Sequence, residues 1–409
     1  MISSAGLTAR IISRPPELSI IKGVFLWVEW IRRWVPTLVA VSVAATLLGL
    51  AARWTLHRPA IASSSARRNA VWAALGLCYA VLFAGTAMTS HRIAHLFPPA
   101  ASEWITALAL LLVVCSLSCF LHAWFRRHPR FDPERRTVLT LARQAIVAAP
   151  ALTAVYGVVL GRFDVRVKEV RVRVPHLPKD LDGLRIAQLS DIHRGAFLSR
   201  AEVDRAVAMA NELRPHLAVV TGDLITRRGD PLEDCVDSLA ALRADAGVWG
   251  CLGNHEVYAG AVELATAYGA RRGIRFLRRA SQLLRFGQAR LNLTGVDYQR
   301  MHLPYLEGCE ELVRPDALNL LLSHNPDVFP VAAAKGFQVT LAGHTHGGQI
   351  NVEILNDNVN LARFFTQYVL GLYEQNGASI YVTPGLGTVG VPLRLGAPPE
   401  VTLIRLCAG

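Results

Sequence analysis

Five separate segments of the chain end in carboxylate, imidazole or amide side chains, which are groups able to bind metal ions or transfer protons. Each of these polar runs directly follows an apolar stretch typical of a buried strand. Their members are Asp191 with His193, Asp223, Asn254 with His255, His324, and His344 with His346. Because ligands collect where strands end on one side of an α/β sheet, we expect these side chains to converge.

The types of side chain in this set indicate the chemistry. They comprise carboxylates, imidazoles and one amide, and no cysteine accompanies them. Mixed nitrogen and oxygen ligands suit manganese, iron or zinc, and the sequence does not select among these metals. Two ions roughly 3.5–4 Å apart can activate a shared water and neutralise the oxygens of a phosphoryl transfer. The pattern therefore predicts two divalent metal ions, and the alternative is five polar turns with incidental histidines.

The stretches around these residues alternate between the patterns of strands and helices. Residues 165–174 alternate apolar and polar side chains, as a strand with one buried face does. A short apolar strand is predicted at 184–189, and apolar strands that run into polar turns are predicted at 216–223, 248–256, 318–327 and 337–346. Helices are predicted at 199–213, 233–244, 259–271 and 327–335. The first helix opens with a capping box at Ser199 and Glu202. Strands that alternate with helices predict a layered α/β domain.

The first 161 residues differ from the remainder in charge. They contain 16 Lys and Arg against 5 Asp and Glu, whereas residues 162–409 contain 27 against 26. The high net positive charge of the chain therefore belongs to its first part. The near-neutral balance of the second part argues against a nucleic-acid partner. We predict two domains, a membrane anchor at 1–161 and a catalytic domain at 162–409.

Four long apolar stretches without charged side chains occupy the first part. Each has about the length of a bilayer-crossing helix, roughly 17–25 residues, and arginine or tryptophan flanks several of them. They are Val35–Ala52, Ala70–Ser90, Ile105–Leu121 and Ala145–Gly161. Buried helices of a soluble core, the alternative, normally keep a polar stripe that these stretches lack. The sequence therefore predicts an all-α region of about four transmembrane helices.

The basic residues between these stretches favour one orientation. With the amino terminus outside, ten arginines fall in the predicted cytoplasmic loops, against six basic residues outside. Cytoplasmic loops carry the excess of Lys and Arg, so this orientation is preferred to its inverse. Four spans then leave residues 162–409 outside the cytoplasm. A lipid bilayer is therefore an expected partner of the chain.

Five motifs occur in an order that resembles the calcineurin-like metallophosphoesterases. They are DIH (191–193), GD (222–223), GNHE (253–256), SHNPD (323–327) and GHTHGGQ (343–349). The resemblance covers about Val165–Leu406, and flanking segments such as DGLRIAQLSDIH are similar to the membrane-anchored bacterial branch of that family. It implies a four-layer αββα sandwich, with two mixed sheets between helices and the metal ligands on loops at one edge.

The resemblance also implies a role for each site residue. The first ion would be held by Asp191, His193 and His346. The second ion would be held by Asn254, His324 and His344. Asp223 would bridge the two ions. His255 would bind no metal and would donate a proton to the leaving oxygen or hold a phosphate oxygen. The next residue, Glu256, is more typical of a helix start or a supporting position than of direct catalysis.

Two positions depart from the family pattern. Thr226 stands where some members carry a further acidic residue, and Pro384 stands where relatives often carry a basic one. Neither change removes a predicted ligand, but the second bears on how the far end of a substrate is held.

Several side chains after residue 363 could contact lipid or an acyl chain, or could pack against the sandwich. They are Phe364, Phe365, Tyr368, Leu370, Leu372 and Tyr373.

Together these inferences predict a multi-pass protein of the bacterial inner membrane with an extracytoplasmic phosphoesterase domain. It would hydrolyse a phosphomonoester, phosphodiester or pyrophosphate bond of a phosphorylated small molecule or a lipid-linked envelope compound. Some relatives act on UDP-diacylglucosamine in lipid A synthesis, but that lipid is made on the cytoplasmic side, which counts against it here. Two alternatives stay open. One is a membrane-bound binding or scaffold protein without turnover, and the other is a nuclease or nucleotide phosphodiesterase of the same superfamily.

Overall fold

The computed structural model describes residues 64–88, 152–300, 303–354 and 357–409, together with a few isolated positions before residue 150. Helix α1, Ser65–Met88, overlaps the second predicted membrane span. Apart from isolated positions, the first and third predicted spans and the beginning of the fourth lie outside the described residues. Within the part of the chain that is described, no helix combines the length and apolarity needed to cross a bilayer. The transmembrane region therefore stays a prediction.

The described strands and helices of the second part are short and alternate along the chain. The strands are β1 (Arg166–Val174), β2 (Arg185–Leu189), β3 (Leu217–Thr221), β4 (Val248–Cys251), β5 (Ile274–Phe276), β6 (Ala280–Phe286), β7 (Ala289–Gly295), β8 (Leu318–Leu322), β9 (Val339–Ala342), β10 (Asn351–Ile354), β11 (Asp357–Asn360), β12 (Gly371–Gln375), β13 (Ala378–Val382) and β14 (Glu400–Ala408). The helices are α2 (Arg200–Glu212), α3 (Leu232–Leu239), α4 (Asn254–Ala259), α5 (Val262–Arg271) and α6 (Phe329–Ala334).

Two mixed six-stranded sheets form the body of this part. The first has the order β1–β14–β2–β3–β4–β5, and the second has the order β12–β13–β9–β8–β7–β6. Strands β2 to β5 are parallel to one another, as are β7, β8, β9 and β13. Strands β10 and β11 form a separate hairpin. Parallel strands with both faces covered read as continuous apolar runs, which is why β2, β3, β8 and β9 were predictable from sequence.

The cores on the two faces of the first sheet follow from the alternation of side chains along each strand. Ile186 of β2 lies in the core between the two sheets, where it joins side chains such as Leu320 of β8. Its neighbour Ala187 points to the other face and packs with Val203 of α2 and Val236 of α3. Helices α2, α3 and α5 therefore form the layer outside the first sheet.

The outer face of the second sheet is covered by α6, where Phe329 packs against Ile380 and Val382 of β13. Helices, sheet, sheet and helix thus stack in four layers, as the family resemblance implies. Among the described residues, the last layer contains the six-residue helix α6, the short 3₁₀ helix Pro326–Val328 before it, and loops. The predicted capping box is present as well. Ser199 Oγ accepts from the Glu202 amide at 3.4 Å, and Glu202 Oε2 accepts from the Ser199 amide at 2.6 Å.

Candidate metal centre

The predicted polar residues lie just beyond the ends of strands in both sheets. In the first sheet they follow the parallel strands β2, β3 and β4, which places at one edge Asp191, His193, Asp223, Asn254 and His255. In the second sheet they follow the parallel strands β8 and β9, which places at its edge His324, His344 and His346. The two edges meet, so residues up to about 150 positions apart in sequence come into contact.

Three overlapping groups of side chains come close enough to share a cation. In each group, one ligand atom per residue lies within 4.8 Å of the others. The first group consists of Asp191, His193 and His346. The second group consists of His193, Asp223 and His255. The third group consists of Asp223, His324 and His344. The first is the set that the resemblance assigns to one ion, and Asp223 joins the other two groups, as a bridging carboxylate would.

Individual distances show how tightly these groups are packed. Nε2 of His346 lies 3.4 Å from Asp191 Oδ1 and 3.1 Å from Nε2 of His193. His193 Nε2 is in turn 3.6 Å from Asp223 Oδ2, which lies 2.9 Å from Nε2 of His324. These side chains are buried. Five potential ligands therefore form one continuous cluster shielded from solvent.

Two further predicted ligands carry buried atoms without a hydrogen-bond partner among the described residues. They are Oδ1 of Asn254, at the start of α4, and Nδ1 of His344. Leaving a buried polar atom unsatisfied costs about 1–3 kcal/mol, unless it binds something that the chain itself does not supply. An amide oxygen and imidazole nitrogens beside two carboxylates are a donor set that suits Mn²⁺, Fe²⁺ or Zn²⁺. The residues present therefore fit the divalent cations expected from the sequence.

The protonation of the cluster also favours cation binding. Burial lowers the pKa of His344 to about 3 and holds the pKa values of His193 and His346 well below the usual range. These imidazoles stay neutral, which is the form that binds a metal. Burial also acts to lower the pKa of His324, but the Asp223 and Asp191 carboxylates and the Thr221 carbonyl together outweigh burial and raise that pKa to about 10. Without a cation, the pair of His324 and Asp223 holds a proton that a bound cation would displace.

Hydrogen bonds to the rings orient the imidazoles. Nδ1 of His324 lies 2.7 Å from the carbonyl oxygen of Thr221. Because a carbonyl only accepts, Nδ1 carries the proton and Nε2 is left to face Asp223. Nδ1 of His193 lies 3.1 Å from the Thr226 hydroxyl, which directs its Nε2 inward in the same way. Such outer contacts fix the tautomer and the direction of a histidine ligand.

The backbone of the centre is strained at the ligands themselves. Five of the seven predicted ligands have a positive φ: Asp191 (49°), His193 (50°), Asp223 (54°), His344 (76°) and His346 (54°). Positive φ is uncommon outside glycine and costs of order 1–3 kcal/mol per residue. Such residues persist where the surrounding structure holds them, and they concentrate at functional sites.

Two glycines let the backbone approach the carboxylates. A Cβ atom on Gly253 would lie 2.1 Å from Asp223 Oδ1, and one on Gly343 would lie 2.1 Å from Asp191 Oδ2. Neither position can carry a side chain without displacing a predicted ligand. The glycines of the GNHE and GHTHGG motifs are therefore required by steric contact with the ligands.

His255 lies beside the cluster, in the position predicted for a proton donor. Its backbone amide donates to Asp223 Oδ1 at 2.9 Å, and its ring Nδ1 lies 2.6 Å from the Thr226 carbonyl oxygen. Nδ1 therefore carries a proton that it donates to this carbonyl, and Nε2 is free to exchange a proton with another group. The ring also stands edge-on to that of His193, with centroids 4.7 Å apart.

Glu256 supports the loop that carries Asp223. Its buried carboxylate accepts hydrogen bonds from four backbone amides, those of Gly253, Asp223, Leu224 and Ile225, at 2.8–3.3 Å. This agrees with the supporting position that the sequence favours for Glu256. The side chain holds the turn after β3 against the start of α4.

Arg394, which belongs to none of the five motifs, is fully buried behind the loop that carries Asp191. Its guanidinium donates to the carbonyl oxygens of Pro384 (2.8 Å), Ala397 (3.0 Å) and Gly387 (3.1 Å, from Nε). Burial lowers the pKa of Arg394 to about 10, so the group stays charged at neutral pH. Gly387 in turn donates its amide to the carbonyl oxygen of Asp191 at 2.7 Å. Arg394 therefore braces the turn against which Asp191 rests.

In the segment after residue 363, some aromatic side chains pack against the sandwich and others are exposed. Tyr368 packs edge-on against Phe329 at 5.5 Å and against Tyr373 at 5.3 Å, so it belongs to the sandwich. Phe364 and Phe365 are instead 83% and 63% exposed. Packing against the sandwich therefore explains the presence of the tyrosines, but it does not explain the two exposed phenylalanines.

Comparison with known proteins identifies the domain. Residues 184–348 match the family described as calcineurin-like phosphoesterase. "Transmembrane protein with metallophosphoesterase domain" of Danio rerio is 31% identical over 290 residues, 66% of this chain and 63% of that protein. The Bos taurus protein of the same name is 28% identical over 385 residues, 86% and 83%. "Uncharacterized metallophosphoesterase YkuE" of Bacillus subtilis is 27% identical over 267 residues, 64% and 93%.

The chain spans less than two thirds of the length of the Danio rerio protein. These relatives are vertebrate as well as bacterial, so membership of a membrane-anchored bacterial branch stays a prediction. The family match includes four of the five ligand segments in full and the GHTHGG portion of the last motif. The chain therefore contains a calcineurin-like metallophosphoesterase domain.

Proposed function

We propose that the protein is a membrane-anchored phosphoesterase that works with two divalent cations. One observation carries this proposal: six of the seven predicted ligands, from four strand ends, lie in groups close enough to share a cation, and the seventh, Asn254, has a buried Oδ1 without a hydrogen-bond partner among the described residues. When bound, the cations would activate water and neutralise charge on the attacking and leaving oxygens of a phosphoryl transfer. The substrate would be a phosphomonoester, a phosphodiester or a pyrophosphate.

The residues of the chain would divide the cations between them as the family resemblance implies. One cation would be held by Asp191, His193 and His346. The other would be held by Asn254, His324 and His344. Asp223 lies between the two sets and would contact both. Manganese, iron and zinc all suit these ligands.

His255 would move the proton. Its Nδ1 is committed to the Thr226 carbonyl oxygen, so Nε2 is the nitrogen that can protonate the departing oxygen of the substrate. With both nitrogens protonated, the ring would also donate a hydrogen bond to a phosphate oxygen. General acids of this kind contribute roughly 10²–10⁴-fold to the rate.

We further propose that residues 1–161 anchor the enzyme in the bacterial inner membrane, with the catalytic domain outside the cytoplasm. Support comes from four uncharged apolar stretches, from the distribution of arginines, and from two relatives named as transmembrane proteins. Lipid-linked phosphates of the envelope are then the substrates of first choice, and UDP-diacylglucosamine is a specific candidate that this orientation disfavours. A reporter that is active on one side of the membrane only, fused at the carboxyl terminus, tests the orientation.

The test of the activity uses the full chain in detergent with bis(p-nitrophenyl) phosphate, assayed without metal and with Mn²⁺ or Zn²⁺. We expect metal-dependent turnover that Asp223→Ala and His255→Ala abolish, and that Asp204→Ala, in an exposed part of α2, leaves intact. Turnover that is unchanged in the first two variants would reject the proposal. Stoichiometric metal binding without turnover of any phosphoester would favour the binding or scaffold protein instead.

A further inference from the structure

Exposed apolar side chains of the catalytic domain are concentrated around the metal centre. Among the described residues after 163, the large apolar side chains that are exposed are Val167, Val257, Tyr258, Leu264, Leu303, Ile350, Phe364 and Phe365. All except Val167 and Leu264 lie on segments that border the centre. Single exposed apolar side chains are ordinary, whereas a contiguous group at a site marks a surface for a ligand, a partner or a membrane.

Two of these segments flank the centre on the sides of α4 and of the loop after β7. Tyr258 lies three residues after His255 on α4, and the two rings are 5.8 Å apart. Leu303 is 68% exposed and belongs to the loop that also contains Tyr298. The ring of Tyr298 lies 5.8 Å from that of His344. Tyr258 therefore brings an exposed ring to the border of the centre, and the loop that carries Leu303 borders the centre at Tyr298.

The third segment contains the two phenylalanines and is tied to the turn of His346. Nδ2 of Asn360 donates to the carbonyl oxygen of Gly347 at 2.8 Å, and its Oδ1 accepts from the Ala362 amide at 2.9 Å. The short 3₁₀ helix Leu361–Phe364 is thus anchored beside the ligand turn. Its apolar end, Phe364 with Phe365, remains in solvent.

The chain upstream of β1 exposes a second apolar surface, which is connected to the segment of Ile350. This surface consists of the later part of the last predicted membrane span and Phe163 just after it, and its exposed side chains are Leu152, Val155, Tyr156, Val159, Leu160 and Phe163. The final turn of this upstream segment is docked on the catalytic domain, because Gly157 accepts from the Arg394 amide at 3.2 Å. The next residue, Leu395, donates to Gln349 and accepts from Asn351, at 2.8 Å each. Backbone hydrogen bonds therefore connect this turn to the segment of Ile350.

We propose that the apolar rim, defined as Val257, Tyr258, Leu303, Ile350, Phe364 and Phe365, contacts the surface of a lipid bilayer and receives the alkyl chain of an amphiphilic phosphoester. A lipid surface is the occupant we infer, because the docked upstream segment is itself apolar, exposed and continuous with the last predicted span. Large side chains with apolar rings bind at the membrane interface in this manner. The inference rests on the proposed phosphoesterase activity and on the proposed membrane anchor.

A matched pair of substrates tests the inference with the full chain reconstituted in phosphatidylcholine vesicles. The pair is p-nitrophenyl ethyl phosphate and p-nitrophenyl hexadecyl phosphate, which share the leaving group and the scissile bond and differ only in the alkyl chain. We expect Phe364→Ser with Phe365→Ser to lower kcat/KM for the hexadecyl ester roughly tenfold more than for the ethyl ester, since the long alkyl chain would lose two aromatic side chains against which it buries apolar surface. Val167→Ser with Leu264→Ser, two exposed apolar positions elsewhere, should leave the ratio unchanged.

An equal loss on both esters, or no loss on either, would overturn the inference while leaving the proposed activity intact. If the unsubstituted chain hydrolyses neither ester, the proposed activity fails, and a second measurement still decides the inference. A nitroxide label is attached at Phe364→Cys and at the control Leu264→Cys, with the signal of the unsubstituted chain subtracted. The label at position 364 should collide with oxygen dissolved in the bilayer more than with a water-soluble nickel chelate. The reverse preference, matching the control, would place the rim in water and overturn the inference.

Discussion

The hydroxyl oxygen of Thr226 lies 3.1 Å from Nδ1 of His193, and this contact turns Nε2 of the ring toward Asp223 and His346. The carbonyl oxygen of the same residue lies 2.6 Å from Nδ1 of His255. One residue thus orients a predicted metal ligand and the predicted proton donor together. The sequence marks this position only as a departure from the family, because the acidic residue of some members is absent.

Replacing Thr226 by valine removes the hydroxyl and preserves the shape of the side chain and the backbone carbonyl. We expect Thr226→Val to weaken cation binding about 10- to 100-fold, since His193 loses the contact that fixes its direction. Calorimetric titration of the metal-free full chain with Mn²⁺ measures this affinity. Thr226→Ser keeps the hydroxyl and should bind nearly as well as the unsubstituted chain. Equal affinity in the valine variant would show that the contact does not position His193.

Substitutions of His255 and Asp223 should affect catalysis and metal binding differently. We expect His255→Gln to reduce kcat roughly 10²–10⁴-fold while the metal content stays unchanged, because the ring is predicted to move a proton. Asp223→Asn should instead lose bound metal, because the bridging charge is gone. Kinetics with an aryl phosphodiester, together with metal analysis of the purified variants, measures both effects. Loss of metal in His255→Gln would identify His255 as a ligand, which its grouping with His193 allows.

Gly343 should not tolerate even a methyl group. A Cβ atom there would lie 2.1 Å from Asp191 Oδ2, so Gly343→Ala must displace the carboxylate or the turn. We expect the variant to retain its circular dichroism spectrum and to lose most of its bound metal. Gly195→Ala is the control, since its Cβ would meet nothing closer than 3.4 Å, an oxygen of Asp230. Normal metal content in Gly343→Ala would contradict the close approach of backbone and carboxylate.

Arg394 should contribute to stability through its contacts with backbone oxygens. Arg394→Met leaves the buried carbonyl oxygens of Pro384, Gly387 and Ala397 without their donor. We expect the free energy of unfolding to fall by about 3 kcal/mol, as unsatisfied buried acceptors imply, with a lower melting temperature in calorimetry. Arg405→Met, which removes a surface ion pair with Glu169, should have little effect. Equal melting temperatures for Arg394→Met and the unsubstituted chain would show that the turn stands without the guanidinium.

The sequence by itself determined the elements that carry the site. Strands such as β2 and β3 are largely apolar and are followed by polar residues, so their apolar runs located them along the chain. The ligand types, carboxylate and imidazole at successive strand ends, indicate divalent metals. Local physical signals of this kind are contained within a few neighbouring residues, and they are therefore readable along the chain.

Only the tertiary structure decided which distant residues support that site. Strand β1 pairs with β14 more than 200 residues away, and Arg394 reaches backbone oxygens whose identity no side-chain pattern records. The structure also separated Tyr368, which packs, from Phe364, which remains exposed, although both are aromatic residues of one short segment. The physical reason is the same in each case. A hydrogen bond to the backbone and the burial of a side chain both depend on residues that are distant in sequence and that the fold places next to the side chain. The neighbours of a residue along the chain do not reveal which distant residues these are.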